Sequence, residues 1–229
     1  MSTSLRNNRP GLLALAAAPL LVAGVSLALF WAPEDADQGF SQRIFYLHVS
    51  VALTAYACFG WAAWKALRLL WKRDPRYDVE SYTAVHIGVM FGILTLVTGS
   101  IWAKISWGVW WSWGERQLVL FLVLFLFYAA YFMLRYSVDA GPRRARMSAV
   151  YALFGVVLIP ISFLAIRLAE NFIHPVVFTR QGPQMAGSMF TAFLVCFAGT
   201  LALAGALYAN ELLGKRLDER LRELREALA

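Results

Sequence analysis

Six long apolar stretches constrain this chain more than any other feature of its sequence. A helix needs roughly 20 mostly apolar residues to cross a hydrocarbon core of about 30 Å. The stretches cover residues 12–31, 45–70, 84–101, 118–136, 147–166 and 188–207, and they hold few charged side chains. Because they are continuously apolar, without the alternation of a barrel strand, we expect helices. The sequence therefore predicts an all-α integral membrane protein with six transmembrane helices.

The composition excludes several other classes of protein. Hydrophobic residues make up 60% of the 229 residues and charged residues only 15%, whereas a soluble domain is roughly a quarter charged. The two cysteines, Cys58 and Cys196, lie far apart in the chain and form no C-x-x-C pair. The sequence thus gives no sign of a disulfide framework, a zinc site or a thiol relay.

The basic residues predict how the chain is oriented in the membrane. The N-terminus, the last turns of spans two and four with the segments that follow them, and the C-terminal tail hold sixteen of the twenty-one Lys and Arg residues. The positive-inside rule then predicts that both termini are cytoplasmic. We expect a cytoplasmic N-terminus over residues 1–11, a six-helix membrane domain over 12–209 and a cytoplasmic amphipathic helix over 210–229. In that tail, leucines recur at helical spacing beside i, i+4 pairs of opposite charge.

Tryptophan is concentrated in the predicted outer segment between helices 3 and 4. Five of the nine tryptophans lie between Trp102 and Trp113. In a helical segment Trp107, Trp110 and Trp111 would share one face. An interfacial aromatic belt explains one or two tryptophans at a helix end, but it explains five in twelve residues poorly. A dense group of indoles suits a large, flat, apolar ligand.

The three histidines are separated by the predicted topology. His48 lies near the outer end of span two, and His174 lies in the outer segment after span five, whereas His86 begins span three on the cytoplasmic side. Imidazole is a common axial ligand of haem iron, so His48 and His174 are candidate iron ligands and His86 is expected to be structural. Arg43 and Arg116 are candidate partners for carboxylates such as the haem propionates.

These residues resemble a known family. The run W-G-V-W-W-S-W-G-E-R, residues 107–116, resembles the tryptophan-rich signature of the haem-handling proteins, and most closely that of the haem exporter protein C (CcmC) family of cytochrome c maturation. The stretch R-I-F-Y-L-H-V, residues 43–49, resembles the first histidine region of that family, and His174 with Pro175 occupies the place of the second. This chain departs from the family pattern at Gly114, where Asp is usual, and at Ser50, where Pro is common.

The resemblance implies a haem relay rather than an enzyme. Such a protein binds haem b transiently at the outer, periplasmic face of the bacterial inner membrane and presents it to a periplasmic haem chaperone (CcmE-like). Its other partners would be ABC transporter subunits (CcmA- and CcmB-like) and a small single-span protein (CcmD-like). The chain itself contains no P-loop motif and no C-x-x-C-H haem-attachment motif.

The resemblance also implies roles for single residues. His48 and His174 would hold the iron, and Arg43 or Arg116 would meet the propionates. The indoles that would pack on the ring are those of Trp107, Trp110, Trp111 and Trp113.

Two other classes of function stay open on the sequence. A transporter permease subunit would be expected to carry polar residues inside its spans, and few are present here. A membrane b-type cytochrome needs paired histidines on facing helices, usually for two haems. The number and exchangeability of bound haems would separate the cytochrome from the relay.

Overall fold

The computed structural model describes residues 9–168, 177–179 and 181–228, and these fold as an all-helical bundle with one short hairpin. The elements are α1 (Arg9–Ser26), α2 (Ile44–Lys72), α3 (Arg76–Trp107), α4 (Arg116–Ser137), α5 (Pro142–Leu168), β1 (Phe178–Thr179), β2 (Gly182–Pro183) and α6 (Gly187–Leu228). α1 continues into a π-helical turn, Leu27–Trp31, and a 3₁₀ turn, Phe40–Arg43, precedes α2. The two strands pair antiparallel, with Phe178 opposite Pro183.

Within the described residues, six helices are long and apolar enough to cross a bilayer, which confirms the predicted number. α3 begins eight residues before its predicted start and ends six residues after its predicted end. α6 runs for 42 residues without a break into the amphipathic tail, about 63 Å at 1.5 Å per residue. That length is about twice the thickness of a hydrocarbon core, so the second half of α6 extends beyond the bundle.

Turn chemistry sets the ends of the helices. α2 ends where Arg73 adopts a left-handed conformation, φ 56°, and its N–H donates to the carbonyl of Leu69. Pro75 then caps α3; a proline has no N–H to lose at that position. α3 ends at Trp107 and is followed by Gly108, φ 76°, whose N–H donates to Lys104 O. A glycine reaches this conformation without steric cost.

Small residues allow the helices to approach closely. The rings of Phe59 on α2 and Tyr128 on α4 stack at 3.8 Å between centroids. A Cβ added at Gly88 would lie 2.6 Å from the Phe59 ring. Likewise, a Cβ at Gly24 on α1 would lie 2.8 Å from the backbone of Cys196 on α6. Such contacts are typical of helices that associate in membranes by close packing of small residues.

Ion pairs join the helices at one end of the bundle, which we call the lower end. The guanidinium of Arg135 donates to both carboxylate oxygens of Asp78, at 2.8 and 2.7 Å. His86 Nδ1 lies 2.8 Å from Glu211 Oε2, so α3 is tied to the start of the α6 extension. Further contacts at this end join Lys65 with Glu80, Arg216 with Glu80 and Lys215 with Thr83, and within α6 Lys215 pairs with Glu211.

Three segments lie at the upper end: residues 32–39, residues 108–115, and residues 177–179 with 181–186, which lead into α6. The segment 32–39 is ordered by Asp35, whose Oδ1 accepts the N–H groups of Asp37 and Gln38 at 3.0 and 2.9 Å. Gly39 follows with φ 54°. This compact turn brings the chain from α1 back over the bundle to the start of α2.

The Asp78–Arg135 pair should contribute strongly to stability, because its side chains are only 13% and 8% exposed. Asp78→Asn leaves the buried guanidinium without a counter-charge, and breaking such a pair costs about 3–5 kcal/mol. We expect the free energy of unfolding, measured by SDS titration with circular dichroism, to fall by that amount. Asp74→Asn is the control, because Asp74 pairs with Arg76 at the surface and its loss should change little. Equal effects would contradict this role for the buried pair.

Candidate functional site

A cavity of about 400 Å³ opens within the upper half of the bundle. Its walls come from α2, α3 and α4, and all three upper connecting segments contribute to its mouth. Apolar and aromatic side chains line its depth, among them Phe45, Leu53, Tyr56, Leu96, Trp102 and Phe121. Its volume falls within the range of small-molecule and cofactor sites, roughly 300–1,000 Å³.

His48 is the histidine that lines this cavity within the described residues. It lies in the second turn of α2, and its Nδ1 is 2.9 Å from Thr98 Oγ1 on α3. Gly99, the next residue of α3, faces the same ring, because a Cβ added there would lie 2.9 Å from His48 Cε1. The imidazole is thus held against α3 at a point where α3 has no side chain.

Two of the clustered tryptophans also line the cavity. Trp102 is buried, lies on the last turns of α3 and packs edge-on against Trp107 at 4.9 Å. Trp111 lies in the segment between α3 and α4, and its ring packs edge-on against Trp113 at 5.8 Å. Trp110 and Trp113 are 60% and 74% exposed. Of the four predicted tryptophans, the described structure therefore brings one, Trp111, to the cavity wall.

The shared helical face predicted for Trp107, Trp110 and Trp111 is wrong. α3 ends at Trp107, and Gly108 turns the chain out of the helix. Lys104 secures this end, because its Nζ donates to Gly108 O at 2.8 Å. The spacing rule holds only inside a helix, and residues 108–115 are not helical.

Polar atoms in the cavity wall lack partners among the described residues. Trp111 Nε1 and Gln117 Oε1 are buried and make no hydrogen bond there. Gln42 Oε1, on another side of the mouth, is also buried without a hydrogen bond to a described residue. Burying a polar group without a partner is unfavourable, so these atoms are suited to meet polar groups of a bound molecule.

Arg43 and Arg116, the predicted partners of the propionates, are not among the described residues that line the cavity. Arg43 is turned toward the end of α1, where its Nη1 donates to Ala28 O at 2.8 Å and to Leu29 O. Carbonyls at a helix end have no partner within the helix, so this guanidinium caps α1. Arg116 is exposed at the first position of α4, next to Gln117 in the cavity wall.

The other two histidines are not part of the described site. His174 lies outside the described residues, although Val177 and Phe178, a few residues later, line the cavity. His86 binds Glu211 at the lower end. His86 precedes Thr98 by twelve residues on α3, or about 18 Å along the helix axis.

Comparison with known proteins identifies the family. The family model described as CcmC, heme exporter protein C, matches residues 3–226. The heme exporter protein C of Bradyrhizobium diazoefficiens is 33% identical over 214 residues, which are 89% of this chain and 79% of that protein. That of Paracoccus denitrificans is 31% identical over 222 residues, 92% of this chain and 90% of the relative.

The heme exporter protein C of Escherichia coli K12 is 36% identical over 152 residues, 65% of this chain and 60% of the relative. The chain belongs to the heme exporter protein C family. The resemblance that rested on the tryptophan-rich run is thereby confirmed at the level of the family.

Sequence reasoning missed several cavity residues of this heme exporter protein C family member. Gly99 lies inside an apolar span and carries no recognisable motif, and Gln117 lies just inside the start of α4. Thr98, beside Gly99, contacts His48 without lining the cavity itself. The available signal was the rarity of polar groups in a membrane helix, where they usually face the bundle interior. Thr98 in α3 carries this signal, and it contacts His48 on the neighbouring helix.

The position of Arg43 predicts a structural effect. Arg43→Met removes the charged donor from the Ala28 and Leu29 carbonyls, and a hydrogen bond to a charged group contributes about 1.5–3 kcal/mol. We expect the free energy of unfolding to fall by about 2 kcal/mol in SDS titrations of the ligand-free protein. Arg116→Met, an exposed arginine at the same end, should leave stability unchanged. Loss of ligand binding by Arg43→Met with unchanged stability would instead assign Arg43 to the ligand.

Proposed function

We propose that this chain binds haem in the upper cavity and delivers it to a periplasmic haem chaperone during maturation of c-type cytochromes. Membership of the heme exporter protein C family supports haem as the cargo. The observation that carries the proposal is His48, an imidazole held at the wall of an apolar cavity of about 400 Å³. Imidazole is a common protein ligand of haem iron.

The donor set of the cavity fits a porphyrin. Apolar and aromatic walls bury a flat macrocycle, and indoles give favourable stacking and edge contacts. Trp102 and Trp111 supply these contacts on one side of the cavity, and Phe45 and Phe121 line it elsewhere. The unpaired Trp111 Nε1–H offers a donor to a polar group of the cargo. Asp35 and Asp37 lie at the mouth, and their like charge disfavours a propionate beside them. The propionates therefore lie away from that edge.

The other predicted site residues, which are not described in the cavity wall, also take part in haem binding in this proposal. His174 supplies the second axial ligand from the segment that precedes Val177. Trp107, Trp110 and Trp113 extend the aromatic surface at the mouth and cover the part of the ring that the cavity leaves exposed. Arg116 meets a propionate from the start of α4. Arg43 acts on the site through the end of α1.

The partners and orientation belong to the same proposal. The chain has a cytoplasmic segment over residues 1–11, a membrane domain over 12–209 and a cytoplasmic helix over 210–229. The upper end then faces the periplasm of the bacterial inner membrane, where a CcmE-like chaperone takes up haem. CcmA- and CcmB-like transporter subunits supply ATP hydrolysis, and a CcmD-like single-span protein completes the complex. The protein carries haem b transiently and catalyses no reaction itself.

Removal of the proposed iron ligands tests this function. His48→Gly and His174→Gly should each purify with less haem, because each change removes an axial ligand. Imidazole added to the solution should restore the six-coordinate visible spectrum, since it can occupy the space left by the side chain. The measurements are the haem-to-protein ratio and the absorption spectrum of the purified protein.

His86→Gln is the matched control, because His86 lies at the lower end with Glu211. Its haem content and spectrum should equal those of the unchanged protein. If His86→Gln loses haem while His48→Gly keeps it, the site is at the lower end and a b-type cytochrome becomes the better reading. Normal haem in His48→Gly, with normal loading of the chaperone, would exclude the upper cavity as the site.

The proposed orientation predicts the accessibility of two surface positions. Cysteines placed at Ser112, in the upper segment after α3, and at Ala140, in the turn before α5, should react from opposite sides of the membrane. The background should carry Cys58→Ala and Cys196→Ala, so that the introduced thiol is the only one that reacts. With a membrane-impermeant maleimide, Ser112→Cys should be labelled in intact spheroplasts and Ala140→Cys only after lysis. The reverse pattern would overturn the orientation.

A further inference from the structure

A threonine hydroxyl connects His48 to the backbone of α3. Thr98 Oγ1 lies 2.9 Å from His48 Nδ1 and 2.7 Å from the carbonyl oxygen of Leu94, one turn earlier on α3. A more distant carbonyl, that of Thr95, lies 3.3 Å from the same oxygen. Three groups therefore share one hydroxyl, which has a single hydrogen to donate.

The short contact with Leu94 decides where that hydrogen lies. A carbonyl oxygen can only accept, so an oxygen–oxygen distance of 2.7 Å requires the Thr98 hydroxyl to donate to Leu94 O. Back-bonding of this kind is common for threonine inside a helix. The hydroxyl oxygen then faces His48 as an acceptor, and His48 Nδ1 must carry the hydrogen.

We propose that Thr98 is a positioning residue that fixes His48 in the Nδ1–H tautomer and leaves Nε2 as the nitrogen that binds iron. This inference rests on the proposed function for its consequence, but the tautomer itself is a property of the haem-free protein. A metal-binding histidine commonly donates its second N–H to a neighbour, which sets the orientation and basicity of the ring. Here the neighbour is a neutral hydroxyl rather than a carboxylate.

The glycine beside Thr98 determines how close the ring can come. A Cβ added at Gly99 would lie only 2.9 Å from His48 Cε1. The imidazole can come this close because Gly99 has no side chain. The hydrogen bond to Thr98 and the absence of a side chain at Gly99 together set where the His48 ring lies along α3 and how the ring is oriented. A ligand held in this way needs little ordering when it meets iron.

The tautomer is measured first, without haem. Protein labelled with ¹⁵N-histidine, reconstituted in nanodiscs, should give a His48 signal pair with a protonated Nδ1 and an unprotonated Nε2. The signal is assigned by its absence in His48→Gln. A protonated Nε2 with an unprotonated Nδ1 in the haem-free protein would overturn the inference. This spectrum decides even if a Thr98 variant fails to fold.

Haem affinity is measured next, in variants that separate the hydroxyl from the shape of the side chain. Thr98→Val keeps the shape and removes the acceptor, and we expect about 10- to 100-fold weaker haem binding in titrations, as for other lost partners of metal ligands. Thr98→Ser restores the hydroxyl and should bind within a few-fold of the unchanged protein. Thr191→Val is the matched control, because Thr191 makes the same back-bond, to Gly187 O at 2.9 Å, on the exposed face of α6.

A double variant distinguishes failure of this inference from failure of the proposed function. In His48→Gly with added imidazole, Thr98→Val should have little further effect, because a free imidazole orients itself. Full haem affinity in Thr98→Val, together with haem loss in His48→Gly, would overturn the role of Thr98 and leave His48 as a ligand. Full affinity in both variants would overturn the proposed function instead. An equal loss in the imidazole-rescued background would show that Thr98 acts only through packing.

Discussion

The antiparallel contact between α2 and α3 holds the site together. Two glycines of α3 face two large rings of α2: Gly99 receives His48, and Gly88 receives Phe59. Gly88 and Gly99 are eleven residues apart, as are His48 and Phe59, and eleven residues complete about three helical turns. Both glycines therefore lie on one face of α3, and both rings lie on one face of α2. The same register that fills the core with Phe59 also aligns His48 with Thr98.

This register explains why the iron-ligand candidate is well defined although it lies near a helix end. Phe59 is buried between Gly88 and the stacked ring of Tyr128. Sliding α2 by one turn would take the Phe59 ring off Gly88 and would move His48 away from Thr98. Packed interiors resist such displacement, because even one methylene group is felt. At the lower end, the Asp78–Arg135 pair and the contact between His86 and Glu211 fix the start of α3 against α4 and α6. Lys65 near the end of α2 pairs with Glu80 of α3 there.

The sequence predicted the helices well because bilayer insertion depends on local hydropathy. Six apolar stretches implied six spans, and the described residues contain six such helices. The ends of the helices were less predictable. The first turn of α3, for example, carries Asp78, a polar residue that pairs with another helix instead of facing lipid. The tryptophan-rich run was recognisable by composition. Its conformation depends on Gly108, which stops the helix after Trp107 and separates the buried Trp102 from the exposed Trp110 and Trp113.

The cavity could not be predicted at the level of single contacts, because its walls combine residues that lie far apart in the chain. His48 and Thr98 are separated by 50 positions, and only the packing of α2 on α3 joins them. Periodicity shows which face of a helix is buried but not which partner it meets. Arg43 could not be placed from the sequence for the same reason. Its charge suggested a contact with a propionate, but in the fold it donates to a carbonyl at the end of α1.

The chemistry of Thr98, the partner of His48, suits the membrane setting and the proposed release of haem. A carboxylate beside His48 would be a strong acceptor and would raise the basicity of the imidazole. It would also place a charge among apolar helices, which is expensive without a counter-ion. A threonine avoids that charge because its hydroxyl is neutral, and that hydroxyl lies within hydrogen-bond distance of both His48 Nδ1 and Leu94 O. In the proposed function, His48 binds iron beside a neutral hydroxyl rather than beside a carboxylate. Such a ligand holds iron in position and gives way when the proposed chaperone supplies a competing bond.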